Sequence, residues 1–263
     1  MLKNFKTPKP IIGMVNLKTM PGYDGFQTMD IVLEAALTDA SALIEGGVDG
    51  LLIENSNDLP RDLSIGPETA AAMAVIAHEI VKISPVPVGI DVIMEPGDKT
   101  AIAVSKAAGC QFIRSVSYNE AMVSSFGIFQ GHPRQMVRYK KLLDADGLAV
   151  FADVHVKHST PICPRKIGTA AKDAIKGGAD AVIVTGDATG FAPPVEVAAE
   201  VRSALGDAPV LLGSGVTPEN AAELLAVADG AIVGSYFKKD HVYSQPVDKF
   251  LVEKLMDAVS KLR

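Results

Sequence analysis

Eight apolar strand candidates, each followed by a helix candidate, predict a (β/α)8 TIM barrel within 263 residues. Two further observations support this. The stretch Glu45-Gly-Gly-Val-Asp-Gly-Leu-Leu-Ile-Glu-Asn55 is echoed by Lys176-Gly-Gly-Ala-Asp-Ala-Val-Ile-Val-Thr-Gly186, with weaker copies at Ala108–Ser115 and Val227–Gly234. In each copy a helix ends near Gly, which suits a helix C-cap, and a continuous apolar run follows, which suits a parallel strand covered by helices. No Pro- or Ser-rich linker divides the chain, so residues 1–263 read as one domain. An open doubly wound sheet is the alternative, and eight consecutive units argue against it.

In order, the strands are expected at 11–17, 49–54, 87–93, 111–116, 148–156, 180–185, 209–213 and 230–234. Helices are expected near 30–45, 67–83, 98–108, 133–144, 168–177, 194–205, 218–227 and 247–262. Gly66-Pro67-Glu68 places Pro in a first turn, and Thr217-Pro218-Glu219 does the same with Thr217 as N-cap. Two connections are long, 18–29 and 117–132, and read as lids, substrate loops or oligomer contacts. In the second, Met122, Phe126, Ile128 and Phe129 are apolar enough to bury.

Composition narrows the function. Apolar residues make up 48%, enough for a large core, and a net charge of −6 without a basic run argues against a nucleic-acid partner. No stretch is long and apolar enough for membrane insertion, and Met1–Pro10 lacks the form of a secretory leader. Cys110 and Cys163 form neither a disulfide framework nor a metal pair, so a cytoplasmic protein with reduced thiols is expected.

In this fold the reactive face lies at the C-terminal ends of the strands. That rule selects Glu54, Asp91, Arg114 and the stretch Phe151-Ala-Asp-Val-His-Val-Lys-His158, where period-two alternation puts Asp153, His155 and Lys157 on one face. An acid, an imidazole and an amine together suit proton transfer. Asp153 or Glu54 would be base, His155 the acid or carbonyl polariser, and Lys157 the stabiliser of an enediolate. Thr185, Gly186, Gly213, Ser214, Gly215, Gly234 and Ser235 lie where such barrels often grip phosphate, with Lys238 as counter-charge and free amides at the helix after Thr217. The expected ligand is a small phosphorylated metabolite, and the expected chemistry is isomerisation, epimerisation or retro-aldol cleavage.

Three alternatives stay open. Lys157 would form a Schiff base. Glu54, Asp91 and Asp153, with His155, would hold a divalent metal for hydrolysis, although no compact metal spacing is present and no cofactor is otherwise expected. A non-catalytic assembly or regulatory factor would use the two long loops for docking, and a homo-oligomer fits the same apolar residues. Asp49, Asp180 and Asp229 precede strands at the opposite rim and read as stabilising.

Several stretches resemble the BtpA/SgcQ family: Ile12-Gly-Met-Val15, Gly46-Gly-Val-Asp-Gly50 with Glu54-Asn55, and Pro67-Glu-Thr69. Phe151–His158, Ala181-Val-Ile-Val-Thr-Gly186 and Gly213-Ser-Gly-Val-Thr-Pro-Glu-Asn220 extend the likeness over nearly the whole chain. The resemblance implies a ribulose-phosphate-binding-type barrel. It also implies either a role in photosystem I assembly or stability, for which the family is named, or a role in sugar metabolism. The family usually carries His where this chain has Asn16, followed by a Pro-rich segment that here reads Lys18-Thr19-Met20-Pro21.

Overall fold

The computed structural model describes residues 1–60, 63–93, 98–163 and 165–263. Its strands are β1 (Ile11–Asn16), β2 (Gly50–Glu54), β3 (Val88–Asp91), β4 (Phe112–Ser115), β5 (Ala121–Ser124) and β6 (Gly127–Gln130). They continue as β7 (Ala149–Val154), β8 (Ser159–Pro161), β9 (Ala181–Val184), β10 (Val210–Leu212) and β11 (Gly230–Val233). The helices are α1 (Met29–Glu45), α2 (Pro67–Ile83), α3 (Lys99–Ala108), α4 (Pro133–Leu142), α5 (Ile167–Lys176), α6 (Val195–Leu205), α7 (Ala221–Ala226) and α8 (Lys249–Ser260). Eight strands close in the order β1-β11-β10-β9-β7-β4-β3-β2, all pairs parallel, which is the predicted barrel.

Period-two geometry divides each barrel strand between two cores. Ile12, Met14, Leu52, Phe112, Ala149, Phe151, Ala181, Ile183, Leu211 and Ile232 point inward, and Leu2 and Phe5 from the N-terminal segment join them. Their neighbours in sequence, such as Ile11, Val15, Leu51, Ile53 and Ile113, pack outward beneath the helices. Aromatic rings fill the lower interior: Phe112 stacks on Phe151 at 5.0 Å, and Phe5 lies 5.6 Å from Phe112. Gly89 makes room for this, because a Cβ there would fall 2.2–2.5 Å from Phe112 ring carbons.

The internal repeat has a structural cause at the N-terminal rim. Asp49 donates its N–H to the Ile11 carbonyl (2.9 Å) and accepts the Ile11 N–H on Oδ2 (2.8 Å). Asp180 makes the same two bonds with Val150 (2.8 and 2.9 Å), and Asp229 with Val210 (2.7 and 2.8 Å). In the weakest copy, Gln111 replaces Asp and clamps Val88 at 2.8 Å twice. Four reciprocal clamps therefore close the seams β1–β2, β3–β4, β7–β9 and β10–β11, satisfying strand-end amides that would otherwise lack partners. The stabilising reading of Asp49, Asp180 and Asp229 follows from these bonds.

Two long connections differ from plain loops. Residues 121–130 form the antiparallel hairpin β5–β6, and β8, from the connection after β7, adds to it in the order β6-β5-β8. This flap buries Met122 and Phe129 against Val116 and Val156, and exposes Ile128. The earlier connection is packed: Met20 is buried, its N–H bonds Asp58 Oδ1 (2.8 Å), and Thr69 donates to the Pro21 carbonyl (2.7 Å).

Candidate functional site

A cavity of about 750 Å³ opens at the C-terminal end of the barrel, a size suited to a small metabolite. Its floor is the last inward-facing layer of strand residues. Asn16, Glu54, Asp91 and Arg114 lie side by side in strand register across β1, β2, β3 and β4. Below this layer the interior is apolar, so every charge here must be satisfied laterally or by what enters from above.

Arg114 and Asp153 satisfy each other. The guanidinium donates from Nε to Asp153 Oδ2 (2.7 Å) and from Nη2 to Oδ1 (3.0 Å), with both residues buried. Burial works against the Arg114 charge, but the carboxylates of Asp153, Asp91 and Glu54 outweigh it and hold the group protonated. Asp91 is different. Its carboxylate lies 3.7 Å from Arg114, yet neither oxygen has a hydrogen-bond partner among the described residues. Burial raises the Asp91 carboxyl well above its usual range. Arg114 opposes that rise only partly, and Glu54 and Asp153 add to it. The floor thus holds a carboxyl biased towards its neutral form beside Glu54, which faces the cavity.

Lys157 reaches the same cavity from the connection after β7, where its backbone N–H is pinned to Thr185 Oγ1 at 3.1 Å. Burial lowers its amine below the ordinary lysine value, and Arg114 lowers it further against the pull of Glu54, Asp153 and Asp91.

The expected single face for Asp153, His155 and Lys157 does not form. β7 ends at Val154, and His155 takes a left-handed backbone (φ 48°). Its N–H is captured by Glu120 Oε2 at 2.9 Å, and its Nε2 lies 3.3 Å from Glu120 Oε1. Burial alone would raise the Glu120 carboxyl, but its bonds to the His155 side chain and backbone hold it below the usual value. His155 therefore faces a second depression of about 740 Å³, outside the central cavity, together with Thr185 and Gly186. The role of acid or carbonyl polariser does not fit it. Asp153, with both oxygens on Arg114, does not fit the role of base.

The opposite wall is the glycine-rich pair of loops. Gly213, Ser214, Gly215, Gly234 and Ser235 line the cavity as expected. The Ser214 hydroxyl is committed internally, donating to the Phe191 carbonyl (2.7 Å) and accepting the Gly186 amide (3.3 Å). Gly215 (φ 71°) must be glycine, since a Cβ would sit 1.9 Å from the Ala192 nitrogen. The amides of Ser214 and Gly215 make no hydrogen bond among the described residues. Two expectations for this wall are corrected. The helix after Thr217 starts only at Ala221, and the Thr217 amide is spent on Asn220 Oδ1 (2.8 Å). Lys238 is buried away from the wall against Asp39 Oδ2 (2.6 Å), because it neutralises an aspartate of α1.

Sequence reasoning missed Glu120, Phe126, Tyr236, Glu219 and Lys254 as site neighbours. The last four line the cavity, and the Tyr236 hydroxyl is buried without a partner among the described residues. Tyr236 directly follows Ser235, Glu219 lies in the Gly213–Asn220 motif and Phe126 in the 117–132 connection, so these three were within reach. Lys254 lies on α8, where no local pattern marks it.

For a metal, the donor set is poor. Among the described residues no group of three His, Cys, Asp or Glu side chains is arranged to hold an ion, and Asp153 would have to abandon Arg114. Among them, too, no helix is long and apolar enough to cross a membrane, and both cysteines are free.

The model of the BtpA family matches residues 7–261. The chain belongs to the BtpA family. Among its family relatives, the photosystem I biogenesis protein BtpA of Synechocystis sp. is 32% identical over 264 residues, covering 99% of this chain and 91% of that protein. SgcQ, a protein of the sgc region of Escherichia coli, is 30% identical over 261 residues, covering 98% and 96%. The BtpA-family barrel also superposes on solved structures at low identity. Native KDPGal matches with a TM-score of 0.62 at 18% identity, covering 98% of both chains. N-(5'-phosphoribosyl)anthranilate isomerase from Pyrococcus furiosus matches with a TM-score of 0.60 at 18% identity, covering 96% and 99%. At such identity these two likenesses carry the barrel fold and nothing finer.

Proposed function

We propose that this BtpA-family barrel is a cytoplasmic enzyme for a small phosphorylated carbonyl compound, moving a proton at the carbon beside the carbonyl. Isomerisation, epimerisation and aldol cleavage share that step. The observation that carries the reading is the unequal carboxyl pair. Asp91 is buried with both oxygens unbonded among the described residues and favours its neutral form, while Glu54 beside it faces the cavity. A carboxyl kept neutral by burial beside a second carboxyl that faces the ligand can supply an acid and a base on one face of it. Glu54 would take the proton, and Asp91 would donate to the carbonyl oxygen as charge builds there. Arg114 holds Asp153 and adds positive potential beneath. The open amides of Ser214 and Gly215 suit a phosphate, whose binding energy would orient the reacting end.

The test is solvent exchange. With the full-length protein in deuterated buffer, NMR should show deuterium entering the α-position of at least one member of a panel of aldose and ketose phosphates. Glu54→Gln and Asp91→Asn should each suppress it. A panel without exchange, or exchange untouched by both variants, would refute the assignment.

A binding-only assembly role is the second reading, supported by exposed apolar side chains: Val123 and Ile128 on the flap, Ile162 just after β8, and Phe191 at the cavity. It fits a protein partner or a second copy at the flap, and it predicts no exchange with any phosphorylated carbonyl compound.

A further inference from the structure

Lys157 reaches the cavity beside the floor carboxyls, and the proton-transfer scheme leaves it without a task. Its Nζ has neither an ion pair nor a hydrogen bond among the described residues, although Glu54, Asp91 and Asp153 all act on it electrostatically. A lysine wanted only for charge balance would be expected to close on one of those carboxylates, as Lys238 closes on Asp39. Instead its backbone is fixed by Thr185 and its side chain lines the open cavity, beside a guanidinium that is itself bonded to Asp153.

We infer that Lys157 is the covalent nucleophile of this site and forms an imine with the carbonyl carbon of an aldehyde or ketone substrate. This rests on the carbonyl reading above and narrows it to the iminium route. The Nζ lone pair attacks the carbonyl carbon, and one N–H proton passes to the former carbonyl oxygen, giving a carbinolamine. The Asp91 carboxyl then protonates that hydroxyl, which leaves as water. The nitrogen becomes an iminium and Asp91 a carboxylate, so charge balances. The iminium draws the electron pair of the adjacent C–H bond, whose proton Glu54 receives, or of the adjacent C–C bond, in which case Glu54 receives the proton of the β-hydroxyl as it becomes the carbonyl of the departing fragment. Burial and the neighbouring Arg114 charge favour the neutral, nucleophilic amine.

The experiment is reductive trapping of the full-length protein with borohydride in the presence of pyruvate, dihydroxyacetone phosphate and ribose 5-phosphate, read by intact mass and peptide mapping. The expected result is a borohydride-dependent adduct on the peptide carrying Lys157. It should form at lower pH than adducts on surface lysines and be lost in both Lys157→Met and Lys157→Arg. The methionine variant keeps the aliphatic stem and the arginine variant keeps the charge, so one of them reports even if the other folds poorly. An adduct that survives in both variants overturns the inference. Deuterium exchange into a probe that gives no adduct overturns the iminium route and leaves the carboxyl-pair reading standing. Absence of both exchange and adduct across the panel overturns the two together.

Discussion

Replacing Arg114 with Met tests the electrostatics of the floor without requiring a known substrate. The change removes two charge-assisted hydrogen bonds, at 2.7 and 3.0 Å, and leaves Asp153 buried with no other side-chain hydrogen bond among the described residues. Breaking a buried pair from one side typically costs about 3–5 kcal/mol. A ceiling follows from titration, because the stranded carboxyl escapes by taking a proton. For an ordinary carboxyl near pKa 4 that costs about 4 kcal/mol at neutral pH and falls by roughly 1.4 kcal/mol per pH unit on acidification. The variant should therefore lose about 3–4 kcal/mol near neutral pH and recover part of it towards about pH 5. Urea denaturation of wild type and variant across that range measures both quantities. A loss below about 1 kcal/mol, or one that does not shrink on acidification, would refute the account of the pair. Adding Asp153→Leu to Arg114→Met should restore much of the stability, since an apolar pair needs no compensation.

Asp91 makes the complementary case. Its folded-state pKa is raised, so the folded protein binds the proton more tightly than the unfolded chain. Stability from this group is full below the ordinary carboxylate pKa and is lost as pH rises through the folded value; Asp91→Asn should lack that slope, so a wild-type-minus-variant denaturation series should display it. Gly89→Ala should cost about 1–3 kcal/mol or more in a thermal or urea melt, because its methyl would collide with the Phe112 ring at the centre of the aromatic plug. Asp180→Ala and Asp229→Ala should each cost about 1 kcal/mol and combine additively, since each frees a strand-end amide at a separate seam.

Legibility in the sequence followed the range of the forces involved. The barrel strands and all helices but α7, which starts three residues late, lie within a residue or two of their expected places because apolar periodicity and Gly-capped helix ends are local. The same periodicity identified Glu54, Asp91, Arg114 and Asp153 as the inward-facing top of the barrel. It failed at His155, where a distant carboxylate, Glu120, takes the backbone amide and the strand stops. Nothing near His155 announces that contact. The flap was not legible: residues 117–132 read only as a long connection, and its third strand comes from beyond β7. Lys238 was misplaced for the same reason, because its partner Asp39 lies 199 residues away.

The four rim clamps make the barrel a ring of four two-strand staves, each riveted at its base, with the seams between staves lacking that rivet. Cutting the chain and joining its old ends would respect this grain only at alternate connections. New termini opened between α2 and β3, or between α4 and β7, leave every rivet between strands that are still consecutive along the chain. Termini opened between α1 and β2 ask Asp49 and Ile11 to find each other from opposite ends of the polypeptide. The repeated Asp thus marks the divisions at which this barrel comes apart into self-pairing pieces.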